Sequence, residues 1–423
     1  MHADEPIILI SSDSHIGPRA SELRPYCPRG LLDRFDDFMS SAEASWQAVL
    51  DGFEGRSSED FTRNTATPGH HDGAARRADM DLDGVAAEVI FHGSQNGQPI
   101  PFHGFSDVAS GRRDSAGPEL ALDGLRIYNR WLAAFCAEAP DRHLGLAHLP
   151  MWDPAAAARE AEAAADAGLR GVNFPAPRPD LAPYNDPVWE DLWRVCEERR
   201  LPLATHAGSG GSTTEYSGAE AEALQALEHG GWFARRALHW LILGGVFERH
   251  PDLTLVLAEQ PGIWWRSALV EMDSVHEMQR DVLRERVPLR PSEYAERNVM
   301  IGASFLARFE AEEAIRSGYA GQVMWGSDYP HMEGTFQHTP DRQGESIGRL
   351  ALRFTFGGLP GDQIRAMAGL NAARTFSCNV EALGRIAERI GAPSVAELGD
   401  GRDRAEVPEP AGLLAFRTMG PWA

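Results

Sequence analysis

Four short segments carry side chains suited to binding a cation, and each closes an apolar run. Ser12-Asp13-Ser14-His15 follows Ile7–Ile10, and Thr205-His206-Ala207-Gly208 ends a second run. Leu257-Ala258-Glu259 ends a third, and Gly326-Ser327-Asp328-Tyr329-Pro330-His331 a fourth. Imidazoles and carboxylates hold zinc, manganese or iron(II), and the same groups act as general acids and bases. Alternation along an extended chain predicts Asp13 and His15 on one face. Each residue also has a plainer reading: Asp13 as a loop cap, His206 as a bonded core histidine, Asp328-Tyr329-Pro330 as a turn, Glu259 as a structural glutamate. Four polar strand ends together are hard to justify as packing.

The elements that must position these groups are legible as near-continuous apolar segments, the pattern of parallel strands buried on both faces. Eight strands are predicted: Ile7–Ser12, Ala86–Phe91, His143–Leu149, Gly171–Phe174, Pro202–His206, Leu253–Glu259, Asn298–Ala303 and Gln322–Gly326. Helices fall between them. Asp153-Pro154 supplies an N-cap and a first-turn proline, with Gly168 closing that helix, and Asp186-Pro187 repeats the device. This alternation predicts a (β/α)8 TIM-type barrel, whose strand ends converge on one face whatever their sequence separation. No GxGxxG follows a strand, which argues against a dinucleotide fold. Long excursions, Gly17–Asp83 after strand one and Gly208–Pro251 after strand five, are expected to build a lid, a pocket wall or an oligomer contact. Residues 1–378 are read as the barrel. Residues 379–423, helical over Val380–Ile390, are read as an extension wrapping its outside.

Composition narrows the chemistry. The chain has 423 residues and 40 basic against 62 acidic side chains, a formal charge of −22. Every basic residue is arginine; there is no lysine. That excludes a Schiff-base lysine, a pyridoxal-phosphate anchor, a P-loop lysine and a carboxylated-lysine metal bridge. The negative balance argues against binding nucleic acid. Cys27, Cys136, Cys196 and Cys378 form no CxxC pair, and the first residues are acidic with no apolar leader, so a cytoplasmic protein without membrane association is expected.

Taken together the motifs resemble the amidohydrolase superfamily, in the branch that includes aminocarboxymuconate-semialdehyde decarboxylase and the hydroxybenzoate-type decarboxylases. The resemblance covers nearly the whole chain: Asp13-Ser14-His15, Thr205-His206-Ala207-Gly208, Phe247–Glu259, Gly326–His331 and Asn371-Ala372-Ala373-Arg374. Gly326–His331 is the most specific of these. The resemblance implies one divalent metal, zinc first with manganese or iron as alternatives, held by Asp13, His15, His206 and Asp328. It implies catalytic roles for His206, Glu259 and Asp328, and a homodimer. Two positions depart from the pattern: the branch usually has His or Glu where Asp13 stands, and some members have a catalytic histidine where Glu259 stands.

His148 and His92 are read as pocket wall, His103, His70 and His71 as loop residues within reach of the site, and His331, Arg63 and Arg178 as weak candidates for substrate contact. The expected reaction is non-oxidative decarboxylation of a small aromatic or unsaturated carboxylic acid. Hydrolysis of an amide or lactone, or the reverse cyclodehydration in secondary metabolism, is the alternative; a non-catalytic small-molecule binder is the second.

Overall fold

The structure is a computed structural model that describes residues 3–52, 64–103, 117–209, 223–224, 227–336, 346–399 and 414–418. Eight strands form one sheet in sequence order: β1 (Leu9–Ile16), β2 (Val85–His92), β3 (His143–His148), β4 (Gly171–Asn173), β5 (Leu203–His206), β6 (Leu255–Ala258), β7 (Val299–Ser304) and β8 (Val323–Gly326). Each pairs in parallel with the next. A bridge between Ser14 and Tyr329 brings β1 to the end of β8, and His15 N–H donates to the Tyr329 carbonyl at 2.6 Å. This is the (β/α)8 barrel that the apolar runs predict.

Burial on both faces explains those runs. Ile10, Val89, Leu144, Leu146, Ala204, Val256, Met300 and Met324 form one buried cluster inside the barrel. Leu9, Ile90, Val172, Leu203, Leu255 and Ile301 join a larger one that the outer helices cover. Local signals act where expected. Asp153 accepts from Ala156 N–H at 3.0 Å and opens Pro154–Asp166, and Gly168 follows at φ 88°. Asp186 caps a 3-10 turn, Pro187–Trp189, that runs into Glu190–Glu198.

The first excursion contains helices Leu32–Gly52 and Gly73–Asp83, and the second contains Arg236–Leu243 and Val246–Arg249. The C-terminal segment reaches both ends of the barrel. Leu383, from helix Val380–Ile390, packs with Ala86 and Ala87 at the start of β2. Phe416 packs with Phe305 just beyond β7, and Leu414 N–H donates to the Glu333 carbonyl. Among the described residues no helix is long and apolar enough to cross a membrane.

β1 runs further than the sequence pattern indicates. Its pairing with β2 persists to Ile16, so Asp13 and His15 lie within the strand rather than after it.

Candidate metal centre

A bulge aims the first two candidates. Ile10 faces the barrel interior, so strict alternation would send Ser12 and Ser14 inward and Asp13 and His15 outward. Three steps of β1, Ser11 to Ser14, instead match two steps of β2, Glu88 to Ile90. One extra residue inverts the phase. Ser14 and Ile16 then face the outer helices, where Arg76 Nη2 donates to Ser14 Oγ at 2.9 Å, and Asp13 and His15 face the mouth. Glu259 and Asp328, at the ends of β6 and β8, have φ of 51° and 56°. Such left-handed backbone costs a non-glycine residue about 1–3 kcal/mol and persists only where neighbouring bonds hold it. Asp328 N–H donates to the Asp13 carbonyl at 3.0 Å, and Gln260 N–H to the Gly302 carbonyl at 2.8 Å.

The side chains converge. His15 Nε2 lies 3.3 Å from Asp13 Oδ1 and 3.2 Å from Asp328 Oδ1. His206 Nε2 lies 3.3 Å from the same Asp13 oxygen, and His331 Nδ1 lies 3.1 Å from Asp328 Oδ1. The His15 and His331 rings stack at 3.9 Å, and His206 meets His15 edge-on at 4.8 Å. Asp13, His15 and His206 offer ligand atoms within 4.8 Å of one another; so do His15, Asp328 and His331. The four ligands implied by the sequence resemblance thus fall in two overlapping groups that share His15, and His331 stands against Asp328.

Tautomers decide what these atoms offer. His15 Nδ1–H donates to the His92 carbonyl (3.1 Å), His206 Nδ1–H to the Ala207 carbonyl (2.9 Å) and His331 Nε2–H to the Gly93 carbonyl (2.9 Å). A carbonyl only accepts, so in each neutral ring the other nitrogen turns a lone pair toward the carboxylates. His15 Nε2 and both Asp328 oxygens make no hydrogen bond although fully buried. Lone pairs facing carboxylates at 3 Å repel unless a cation or proton lies between them. Nitrogen and oxygen donors in this number suit a divalent ion of the zinc, manganese or iron type, so the residues present fit a metal.

Without that ion, protons fill the role. Burial pulls His206 down, but Asp13 and then Glu259 outweigh it and raise the imidazole to about 10. His331 likewise reaches about 10 against burial, through Asp328 and Glu333. Burial pushes Asp13 up, yet His206 and His15 hold it well below the usual carboxylate range. Glu259 rises to about 8, chiefly through burial, with Asp328 and Asp13 adding repulsion that His206 only partly offsets. Its Oε2 lies 3.5 Å from His206 Nδ1. A dication bound at His15 and His206 would displace the His206 proton.

The other sequence candidates are placed as follows. His148 and His92, at the ends of β3 and β2, lie edge-on to each other with ring centroids 6.0 Å apart. His103 Nε2 bonds to the Ala121 carbonyl and ties a loop to helix Pro118–Ala137. His70 is fixed by Ser94 and the Asn64 carbonyl, and His71 meets Glu22. Arg178 forks onto Asp180. Arg63 lies outside the described residues.

Two supporting features escape the sequence reading. Ser304 Oγ–H, at the end of β7, donates to Asp13 Oδ2 at 2.5 Å. Arg76, fully buried, pairs with Glu88 at 2.6 Å and donates to the His15 carbonyl at 2.7 Å, and His143 Nδ1 lies 2.9 Å from Glu88. The second had a signal, a charged residue, Glu88, inside an apolar strand, which requires a buried partner. A cavity of about 1040 Å3 holds none of these groups. It opens beside Pro202, Thr254, Asn298 and Gln322, ahead of β5 to β8, at the end of a barrel that serves stability.

Among curated proteins none matches the sequence. Solved structures share the fold. The 5-carboxyvanillate decarboxylase of Sphingomonas paucimobilis is 21% identical, with a TM-score of 0.58 over 88% of this chain and 100% of its own. That of Novosphingobium aromaticivorans, solved with manganese and 3-methoxy-4-hydroxy-5-nitrobenzoic acid, is 19% identical, with a TM-score of 0.61 over 89% and 99%. The 2,6-dihydroxybenzoate decarboxylase from Rhizobium is 17% identical, with a TM-score of 0.55 over 88% and 99%. A family model described as amidohydrolase matches residues 102–377, more than half of the sequence, and the chain belongs to that family.

Proposed function

We propose that this protein is a metal-dependent carboxy-lyase that removes carbon dioxide, without an oxidant, from a small aromatic or unsaturated carboxylic acid. The observation that carries the reading is the set of inward lone pairs on His15, His206 and His331 opposite Asp13 and Asp328. The substrates and the manganese of the neighbouring decarboxylases support it. Asp13, His15, His206 and Asp328 would hold one divalent ion. Zinc is the reading from the donor set, and manganese is the ion of the neighbours. Bound there, the ion supplies Lewis-acid polarisation of the substrate carboxylate and an adjacent oxygen.

The remaining steps belong to the chain. Ser304 and the backbone carbonyls of His92, Ala207 and Gly93 fix the ring and carboxylate orientations. Asp328 carries the proton and delivers it to the carbon bearing the carboxylate. The carbon–carboxylate bond then breaks, carbon dioxide leaves, and the bonding pair restores the π system. The net change is carboxylate plus one proton to carbon dioxide and the protonated carbon. His331, 3.1 Å from Asp328, returns the proton. Glu259, whose carboxyl burial raises to about 8, donates a hydrogen bond to substrate oxygen when protonated.

We read the chain as a cytoplasmic homodimer with residues 379–423 as an extension of the barrel; a monomeric mass in solution would end the dimer reading. The function is tested by incubating metal-loaded protein with hydroxybenzoates, carboxyvanillates and unsaturated dicarboxylic acids while following carbon dioxide. Release of amine or alcohol from amides or lactones, with no carbon dioxide from any acid, would replace decarboxylation with hydrolysis.

A further inference from the structure

Three buried polar groups beside the centre serve nothing described so far. His92 Nε2, His148 Nε2 and Tyr128 Oη are each buried and make no hydrogen bond among the described residues. Their rings meet edge-on: His92 to Tyr128 at 5.2 Å, Tyr128 to His148 at 5.5 Å and His92 to His148 at 6.0 Å. A buried donor or acceptor without a partner is costly, so three such groups on rings in mutual contact call for a polar guest.

The cluster adjoins the reacting centre. The His92 carbonyl receives the N–H of His15, and Phe91, the preceding residue, lies with its ring 4.8 Å from that of His206. His148 follows Leu144 and Leu146 on the barrel side of β3, so it points into the mouth from below. It is also held rigidly. Asn129, next to Tyr128 in helix Pro118–Ala137, donates to the His148 carbonyl at 2.9 Å and accepts from its N–H at 3.0 Å. A backbone bracketed from both sides, with its side-chain nitrogen left unpaired, is the construction of a preorganised binding group. The three groups include no guanidinium and no carboxylate. They offer hydrogen bonds in both senses and no fixed charge.

We propose that His92, Tyr128 and His148 form the subsite for a neutral hydrogen-bonding substituent of the substrate, a ring hydroxyl or carbonyl oxygen, held while the carboxylate lies at the metal centre. They are specificity-determining residues: a site that pairs a hydroxyl rejects the analogue lacking it, because its own groups are then left unpaired. The proposal rests on the decarboxylase reading only for the acid that carries the substituent.

The test uses metal-loaded protein and calorimetric titration with benzoate and the three monohydroxybenzoates. At least one hydroxybenzoate is expected to bind about tenfold or more tightly than benzoate. Tyr128→Phe and His148→Leu should each bring that isomer within about twofold of benzoate at unchanged metal content, whereas His148→Gln keeps part of the preference. Unliganded Tyr128→Phe should melt at or above the wild-type temperature, since it loses only an unpaired hydroxyl. The proposal falls if no hydroxybenzoate exceeds benzoate, if the preference survives in both variants, or if Tyr128→Phe melts lower with its preference intact, the mark of a structural water site. Intact discrimination without carbon dioxide release leaves the subsite standing and removes the decarboxylase reading instead.

Discussion

Glu88→Gln tests whether the buried charge pair behind β1 supports the metal centre. Burial pushes Glu88 up, but Arg76 and then His143 reverse this and hold it at about 2, against an ordinary 4.5. At about 1.4 kcal/mol per tenfold change in proton affinity, that drop contributes roughly 3 kcal/mol to stability at neutral pH. The folded state binds this proton less readily than the unfolded chain. The contribution is therefore complete above pH 4.5 and is lost as pH falls toward 2; by pH 3 about 2 kcal/mol of it is gone. Glutamine also leaves the Arg76 guanidinium buried and uncompensated, so the gap between wild type and variant at pH 7 should be about 3–5 kcal/mol. Urea midpoints of both proteins between pH 7 and pH 3 would measure it, with the gap narrowing on acidification. Arg76 also holds the His15 carbonyl, so metal content should fall in the same variant. A gap below about 1 kcal/mol at pH 7, or one constant to pH 3, would refute the argument.

Other expectations are direct. His206→Ala should lose most bound metal, read by elemental analysis after desalting; full occupancy would remove His206 from the ligand set. Ser304→Ala should weaken metal affinity by about 10–100-fold, because Asp13 Oδ2 loses its only side-chain donor among the described residues; competition with a chelator of known affinity reads this, and unchanged affinity counts against a positioning role. At Gly369 an added Cβ would lie 1.8 Å from the Ile8 carbonyl oxygen, where backbone meets backbone. Gly369→Ala should therefore lower the melting temperature sharply or abolish soluble expression, and a wild-type melting curve would contradict it.

Much of this architecture was legible because parallel barrel strands are buried on both faces and read as uninterrupted apolar runs. All eight predicted segments coincide with strands, and the candidates at their ends lie together. The direction in which Asp13 and His15 point was not legible for the right reason. Alternation from Ile10 sends them outward, and only the bulge opposite Val89 brings them in. A bulge is set by the register of two strands, pairing Ser11 with Glu88 and Ser14 with Ile90, which no local pattern encodes. Ser304 was missed because a serine ending an apolar strand has no meaning until Asp13 lies opposite. Imidazole roles depend on carbonyls supplied by loops, such as Gly93 for His331, and those partners exist only in three dimensions.

The absence of lysine bears on how many ions the centre holds. A dinuclear site needs a bridging anion, and a carboxylated lysine is unavailable here. Glu259 is the remaining candidate for a bridge at the end of β6. Its Oε2 approaches His206 from the Nδ1 side, where the imidazole already donates to Ala207, whereas Asp13 meets the ring at Nε2. Glu259 offers a ligand atom within 4.8 Å of ones on Asp328 and Glu333, so an ion it held would lie on that side of Asp328 and away from His206 Nε2. Charge points the same way: with neutral His15 and His206, Asp13 and Asp328 carry at most two negative charges, which one dication neutralises. Metal analysis of purified protein should therefore return one divalent ion per chain. Two per chain, with the second lost in Glu259→Gln, would restore the bridge.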